Sequence, residues 1–156
     1  MPKFLVLVLF VLGCLLVGYF GSFYTIASIP TWYSTLNKPF FSPPNWIFAP
    51  VWTFLYILMA LAAFRIWERR KKEGAIWALK LFGVQLFFNA IWSPIFFGAN
   101  SLSLAFVVIV VLLFFIFLTK KAFAKIDKIS SYLLYPYIAW VSFATILNFS
   151  VWLLNR

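Results

Sequence analysis

Amide, hydroxyl and indole side chains recur at helical spacing within apolar stretches of this 156-residue chain, and they are its candidates for binding chemistry. Gln85, Asn89 and Ser93 follow one another at intervals of four residues, which places them on one helix face with Trp92 beside it. Because an amide that faces lipid is costly, this face is expected to point into a helix bundle. There it would either make interhelical hydrogen bonds or supply donors and acceptors to a ligand.

Other stretches carry aromatic and small residues at the same helical spacing. The sets that share a face are Ser22 with Thr25, Trp52 with Tyr56, and Trp140 with Ala144 and Asn148. Large aromatic walls with a few amides suit a large, flat, mostly apolar ligand with a polar edge. Trp52, Trp140 and Asn89 are the candidates for such a pocket, whereas interhelical hydrogen bonding is the competing interpretation for Gln85 and Asn148.

The side chains needed for several other kinds of chemistry are scarce. The chain has no histidine and one cysteine, so neither a disulfide framework nor an imidazole or thiolate metal site is expected. Its three acidic residues, Glu68, Glu73 and Asp127, lie in basic connections and supply no carboxylate pair within an apolar stretch. The absence of ionisable groups from these stretches argues against a charge-coupled pump, but not against a facilitator.

The elements that must position these residues are five apolar runs. Hydrophobic residues make up 65% of the chain and charged residues 10%, which is more apolar surface than a soluble domain of this size can bury. The runs lie at about 4–29, 46–64, 81–99, 102–119 and 132–154, each near the roughly 20 residues that cross a bilayer. They do not alternate as barrel strands do. The sequence therefore predicts an all-α, polytopic bundle of five transmembrane helices in a single domain, 1–156.

The basic residues predict how this bundle lies in the membrane. Of the 13 lysines and arginines, all but Lys38 and Arg156 flank the same side of the five runs. The positive-inside rule then predicts a cytoplasmic N-terminus and an external C-terminus. The expected location is a bacterial cell membrane. Because the charge of +10 is confined to short runs between apolar segments, it favours contact with lipid headgroups and excludes a nucleic-acid partner.

The external connection at residues 28–45 is rich in proline and aromatic residues. Its prolines are Pro30, Pro39, Pro43 and Pro44. These residues stiffen the connection, and Trp32 makes it poorly suited to water, so it is either an aromatic belt at the interface or a lid over a cavity. Two further prolines, Pro50 and Pro94, lie within the apolar runs and predict kinks.

Three stretches of sequence resemble the tryptophan-rich sensory protein / translocator protein family (TspO/MBR), once called the peripheral benzodiazepine receptor. The matching residues are Trp32-Tyr33, Lys38-Pro39, Pro43-Pro44, Trp46 and Pro50 to Tyr56; then Gln85-Leu86, Asn89, Trp92 and Pro94 to Phe97; then Tyr135 to Tyr137, Ala139-Trp140, Phe143 to Thr145 and Leu147-Asn148. Their order and spacing cover nearly the whole chain.

The resemblance implies a ligand cavity under the loop between the first two helices, and a homodimer. It implies porphyrins, sterols and isoquinoline carboxamides as ligand classes, with the porphyrin as ligand or substrate and no other cofactor. The residues it assigns to ligand binding are Ser22, Trp32, Tyr33, Trp52, Tyr56, Gln85, Asn89, Trp92, Trp140, Phe143 and Ala144. Trp52 and Trp140 match the tryptophans of porphyrin handling, and light-dependent degradation of protoporphyrin, known for some bacterial members, would make them catalytic.

Two features limit what the resemblance implies. Phe149 and Leu153 stand where animal members carry the tyrosine and arginine of a cholesterol motif, so that sterol site is not expected. Small residues that permit close helix approach form no clear GxxxG pair and select no dimer face; they are Gly13, Gly18, Gly21 and Ala60 to Ala63. The predicted function is porphyrin binding in tetrapyrrole and oxidative-stress homeostasis. A facilitator of porphyrin or lipid transport, and a sensor acting through a partner protein, remain the alternatives.

Overall fold

The computed structural model describes all 156 residues, and its regular structure is entirely helical. The helices are α1 (Lys3–Ser28), α2 (Phe48–Glu68), α3 (Ala75–Ser93), α4 (Leu102–Ile126), α5 (Lys128–Leu133) and α6 (Tyr135–Leu154). With α5 and α6 taken together, five helical segments are long and apolar enough to cross a membrane. The predicted all-α bundle of five spans is confirmed.

The helices form a ring in which sequence neighbours are not always neighbours in space. α1 packs against both α2 and α3, α3 packs against α4, and α4 packs against α6. The short α5 closes the ring against α2 and α4, whereas α2 and α6 touch only sparingly. We call the end that carries α5 and the basic connections the basic end, and the end that carries residues 28–45 the loop end. The weak α2–α6 contact leaves space between helices toward the loop end.

The helices continue beyond the apolar runs toward the basic end. α2 ends at Glu68 instead of 64, α3 begins at Ala75 instead of 81, and α4 ends at Ile126 instead of 119. Lysine, arginine, glutamate and alanine are good helix formers, so charge alone does not end a helix. The long basic side chains can also lie along apolar surface with their charged ends in water.

The two prolines within the apolar runs behave differently from each other. Pro50 is the third residue of α2, where a helix makes no use of the missing N–H, so the predicted kink at Pro50 is wrong. Pro94 ends the α-helical part of α3 and begins a π-helical turn, Pro94–Gly98. That turn interrupts regular α-helix at the loop end of the bundle.

Small residues close the bundle toward the basic end. Ala60 and Ala63 of α2, and Ala75 and Ala78 of α3, are fully buried. Two of these alanines belong to the small residues considered for helix association, and here they serve packing within one chain. Their single methyl groups let the helices approach closely and leave no space for a ligand.

An ion pair fixes the connections at the basic end. Asp127 lies at the start of α5 and accepts hydrogen bonds from Arg65 Nε at 2.7 Å and Arg65 Nη2 at 3.3 Å. The same carboxylate accepts from the backbone N–H of Ser130 at 3.2 Å and so caps α5. The hydrogen bond from the Arg65 guanidinium is the main cause that holds the pKa of Asp127 well below its usual range. Lys72 Nζ donates to the carbonyl of Ile126 at 3.3 Å, which ties the α2–α3 connection to the same place.

Candidate ligand cavity

A cavity of about 570 Å³ lies between the helices in the loop half of the bundle. Residues from α1, α2, α3, α4 and α6 line it, and 20 of the 29 lining residues are hydrophobic. No lining residue carries a charge. Its volume falls within the range of small-molecule pockets, roughly 300–1,000 Å³. The cavity is therefore suited to a mostly apolar ligand of drug or cofactor size.

Most of the residues assigned to ligand binding from the sequence line this cavity. They are Ser22, Tyr33, Trp52, Tyr56, Asn89, Trp92, Trp140, Phe143 and Ala144. Two do not line it: Trp32 packs edge-on against Phe96 at 5.9 Å between ring centres, and Gln85 is buried one helical turn from Asn89 toward the basic end. Both of these residues support cavity walls, and ligand contact remains a prediction for the whole set.

Two groups of aromatic rings form the walls. Trp52 stacks on Tyr56 with ring centres 5.7 Å apart and an angle of 29° between the planes. Trp140 contacts Phe48 at 6.2 Å and Phe143 at 5.6 Å. The indole N–H of Trp140 is enclosed and has no hydrogen-bond partner in the protein, so apolar packing holds that side chain. Both tryptophans present large aromatic surface to whatever fills the cavity.

A chain of buried hydrogen bonds lies behind the first wall. The Tyr56 hydroxyl donates to Asn89 Oδ1 at 2.5 Å, and Asn89 Nδ2 donates to the Tyr137 hydroxyl at 2.7 Å. The Tyr137 hydroxyl in turn donates to Gln85 Oε1 at 2.7 Å, which joins α2, α3 and α6. Asn89 and Gln85 therefore make the interhelical hydrogen bonds that the sequence allowed as one interpretation. Asn89 also lines the cavity, so its amide can serve both purposes.

Asn148 has a similar structural use. Its Oδ1 accepts from the Trp92 indole N–H at 3.1 Å, and its Nδ2 donates to the carbonyl of Leu102 at 3.0 Å. The pair fixes the orientation of the Trp92 ring between α3 and α6. Because these polar groups already have protein partners, shape and apolar contact dominate deep in the cavity.

The α1 wall depends on residues without bulky side chains. A Cβ atom on Gly18 would lie 2.6 Å from the Tyr56 ring, so α1 can approach α2 here only because this residue is glycine. Two hydrogen bonds join α1 to α3. The hydroxyls of Thr25 and Ser93 are 2.9 Å apart, and Ser93 Oγ donates to the carbonyl of Gly21 at 2.8 Å. Gly18 and Gly21 thus serve contacts inside the bundle.

The connection at residues 28–45 covers the loop end of the cavity and is anchored at two places. Tyr33 is only 3% exposed, lines the cavity and packs against Phe97 with ring centres 5.6 Å apart. Asn37 and Asn155 exchange hydrogen bonds: the Asn37 N–H donates to Asn155 Oδ1 at 2.9 Å, and Asn155 Nδ2 donates to the Asn37 carbonyl at 2.8 Å. We call this pair the asparagine latch. Beyond it, Phe40 is fully exposed, so the connection combines a roof with an outward-facing aromatic part.

Some residues of the site carried no clear signal in the sequence. Tyr137 belongs to a stretch that matches the family but was not assigned to the site, because an aromatic residue near the start of a span is typical of the membrane interface. It is completely buried at the centre of the hydrogen-bond chain. Ile109 and Leu112 of α4 line the cavity and cannot be told from lipid-facing residues by composition. Their position depends on the ring order of the helices, which apolar runs alone do not specify.

Comparison with known proteins gives one consistent result. A profile of the TspO/MBR family matches residues 10–153. The tryptophan-rich protein TspO of Chlorobaculum tepidum is 43% identical over 146 residues, which cover 91% of this chain and 90% of that protein. The tryptophan-rich sensory protein of Cereibacter sphaeroides is 42% identical over 124 residues, covering 80% and 77%. The translocator protein of Homo sapiens is 36% identical over 143 residues, covering 90% and 82%.

Proposed function

The chain belongs to the TspO/MBR family of membrane translocator and sensory proteins, and from this premise we propose that it binds a porphyrin-like tetrapyrrole in the cavity beneath the loop. The observation that carries the proposal is the uncharged, aromatic-walled cavity of about 570 Å³. A porphyrin is a flat aromatic macrocycle, and Trp52 and Trp140 offer the large ring surfaces on which such a ligand stacks.

The same two tryptophans support a light-dependent activity. An indole that stacks on an excited porphyrin can donate an electron to it, which oxidises the indole and reduces the pigment. Oxidative loss of the pigment then requires dioxygen as the external oxidant, which accepts the electron from the reduced porphyrin. Stacking needs an aromatic face, whereas electron donation needs a ring that is readily oxidised. Phenylalanine retains the first property and lacks the second, so tryptophan-to-phenylalanine variants separate binding from photochemistry.

The test is a binding titration of protoporphyrin beside a timed illumination assay on purified protein. Trp52→Phe and Trp140→Phe should each retain most of the affinity, losing on the order of 1 kcal/mol, while the light-driven loss of porphyrin falls much further. Trp77→Phe is the matched control because Trp77 is exposed near the basic end and does not line the cavity. Degradation at the wild-type rate in both cavity variants would show that neither tryptophan is individually required.

The assay also separates the competing functions. Product formed under light without a membrane gradient supports degradation, whereas flux into vesicles without product supports a facilitator of porphyrin or lipid transport. Stable binding with neither result supports a sensor that acts through a partner protein. An isoquinoline carboxamide that competes with protoporphyrin would place both ligands in one cavity.

Orientation and assembly form the remaining part of the proposal. We place the basic end in the cytoplasm of a bacterial cell, so single cysteines at Asn37 and Lys72 should react from opposite sides with a membrane-impermeant reagent. Equal labelling of both would contradict this orientation. The homodimer is proposed from the family alone, and light scattering in mild detergent that gives only monomer mass would count against it.

A further inference from the structure

We propose that Lys38 selects ligands that carry a carboxylate, by pairing with that group at the loop end of the cavity while the apolar body of the ligand fills the cavity. The inference rests on the proposed function and makes it more specific. It assigns to Lys38 a role in specificity that depends on charge pairing, which the cavity-lining side chains cannot supply because all of them are uncharged.

The placement of charge along the bundle is the first argument. The acidic residues Glu68, Glu73 and Asp127 all lie at the basic end, where Asp127 and Glu68 pair with basic side chains. Lys38 and Arg156 are the basic residues of the loop end, and no acidic side chain of the chain lies there to neutralise them. An anionic group that approaches the loop end therefore meets positive charge without a competing acidic side chain.

The position of Lys38 beside the cavity is the second argument. Its Nζ atom lies 4.6 Å from the centre of the Tyr33 ring, and that ring lines the cavity. The ammonium donates to the carbonyl of Leu36 at 3.2 Å, which leaves further N–H groups for a ligand. The asparagine latch anchors Asn37, the residue before Lys38, and the buried side chain of Tyr33 anchors the segment five residues before Lys38. The cation is thus presented from an anchored part of the roof.

The interior of the cavity supplies the third argument. Asn89 and Asn148 already have protein partners, the unpaired N–H of Trp140 is a single neutral donor, and no cation lies among the lining residues. An ionised carboxylate buried there would lose its hydration without gaining an opposite charge. The charged end of an amphipathic ligand must therefore lie at the loop end, where Lys38 can make a charge-assisted hydrogen bond.

The experiment compares matched ligand pairs on one purified protein. The first pair is protoporphyrin and its dimethyl ester, which share a macrocycle and differ in charge. The second pair is a long-chain fatty acid and its methyl ester, used as competitors, because a carboxylate could also come from a lipid. The wild-type protein should prefer each acid over its ester by about tenfold, and this preference should weaken at high salt.

Three variants identify the residue responsible. Lys38→Met should abolish the preference while leaving ester affinity near the wild-type value, and Lys38→Arg should retain the preference. Arg156→Met is the control for the other cation of the loop end and should keep the full preference. Ester affinity reports whether each variant still forms the cavity, so a purely structural role of Lys38 would lower acid and ester binding together and overturn the inference.

The outcomes distinguish the inference from the function on which it rests. Equal affinity of acid and ester in the wild-type protein would overturn the role of Lys38 and leave tetrapyrrole binding standing. A preference for the fatty acid that depends on Lys38, without binding of either porphyrin, would support the role of Lys38 and refute the proposed ligand. Failure of all four ligands to bind would refute both.

Discussion

The two halves of the bundle have different residue types where their helices face one another: small alanines toward the basic end and large tryptophans toward the loop end. Toward the basic end, Ala60, Ala63 and Ala78 are fully buried at helix contacts, and the core there is closed. Toward the loop end, Trp52 and Trp140 stand at the corresponding inner faces and enclose a cavity of about 570 Å³. Small side chains let helices meet, whereas large rigid rings keep them apart. A five-helix bundle can thus be closely packed at one end and contain a ligand cavity at the other.

The most direct test of this comparison is the same alanine-to-leucine substitution made in each half. Ala63→Leu should lower the free energy of unfolding by about 3 kcal/mol, because the added carbons have no space at a fully buried contact. Ala144→Leu adds the same atoms to a cavity wall and should leave stability nearly unchanged while it weakens ligand binding. Denaturation in mild detergent, followed by circular dichroism, measures the first effect, and a porphyrin titration measures the second. Equal destabilisation by both changes would contradict the contrast between the halves.

The buried hydrogen bonds behind the cavity wall provide the next test. Tyr137→Phe removes a hydroxyl that accepts from Asn89 and donates to Gln85, which leaves Asn89 Nδ2 and Gln85 Oε1 without a partner. We expect a loss of about 2 kcal/mol, since unpaired buried polar groups are costly. Thr145→Val is the matched control because the Thr145 hydroxyl bonds only to the Val141 carbonyl of its own helix. Similar losses in both variants, measured by the same denaturation, would mean that the interhelical chain adds nothing specific.

The ion pair at the basic end should respond to pH. Asp127→Asn retains a capping side chain for α5 but removes the charge that pairs with Arg65, and we expect a loss of about 1–2 kcal/mol for this partly exposed pair. The folded-state pKa of Asp127 is lowered, so the stabilisation is complete above its unfolded pKa of about 4 and is lost as the pH falls toward the folded value.

The corresponding measurement is the stability of wild type and Asp127→Asn at pH 6 and at a series of lower values. The difference between them should shrink as the pH falls below about 4. Glu68→Gln is the control, because the partner of Glu68 in its ion pair, Lys3, is largely exposed and should contribute little. A difference that stays constant across this range would show that the charge of Asp127 is not the source of the effect.

The smallest expected effect is local and lies at the loop end. Asn155→Ala removes the side chain that holds the Asn37 backbone, which should cost about 1 kcal/mol within the roof and little elsewhere. Hydrogen exchange across residues 28–45 should become faster near Asn37, and bound ligand should slow it in the wild-type protein. Unchanged exchange with saturating ligand would favour the aromatic-belt interpretation of this segment. Ser150→Ala, on the exposed side of α6, is the control.

The sequence was sufficient for the fold and for the family, and insufficient for local geometry. Apolar runs and motif spacing predicted five spans and the TspO/MBR resemblance, and both are confirmed. The apolar runs did not locate helix ends, because α2 and α4 continue into charged residues that are themselves good helix formers. Pro50 was expected to kink a span, but its effect depends on where α2 begins, and Phe48 is only two residues earlier.

The cavity shows a similar division. Side-chain type and helical spacing identified residues such as Asn89 and Trp140. An amide in an apolar stretch is costly unless it has a hydrogen-bond partner, and a large aromatic ring at the same helical spacing suggests a cavity wall. The contribution of α4 to the lining could not be predicted, since it depends on which helices are neighbours in the ring. The asparagine latch joins residues 118 positions apart in the sequence, and nothing local to either asparagine indicates the other.

The asparagine latch has a practical consequence for how the protein is labelled and purified. Asn155 is adjacent to Arg156, so an affinity tag or fluorescent reporter fused directly after Arg156 would lie beside the side chain that holds the cavity roof. Such a fusion could alter ligand uptake while the helices remain intact, and the defect would be mistaken for a property of the native protein. A tag joined at Met1, at the opposite end of the bundle, avoids the roof.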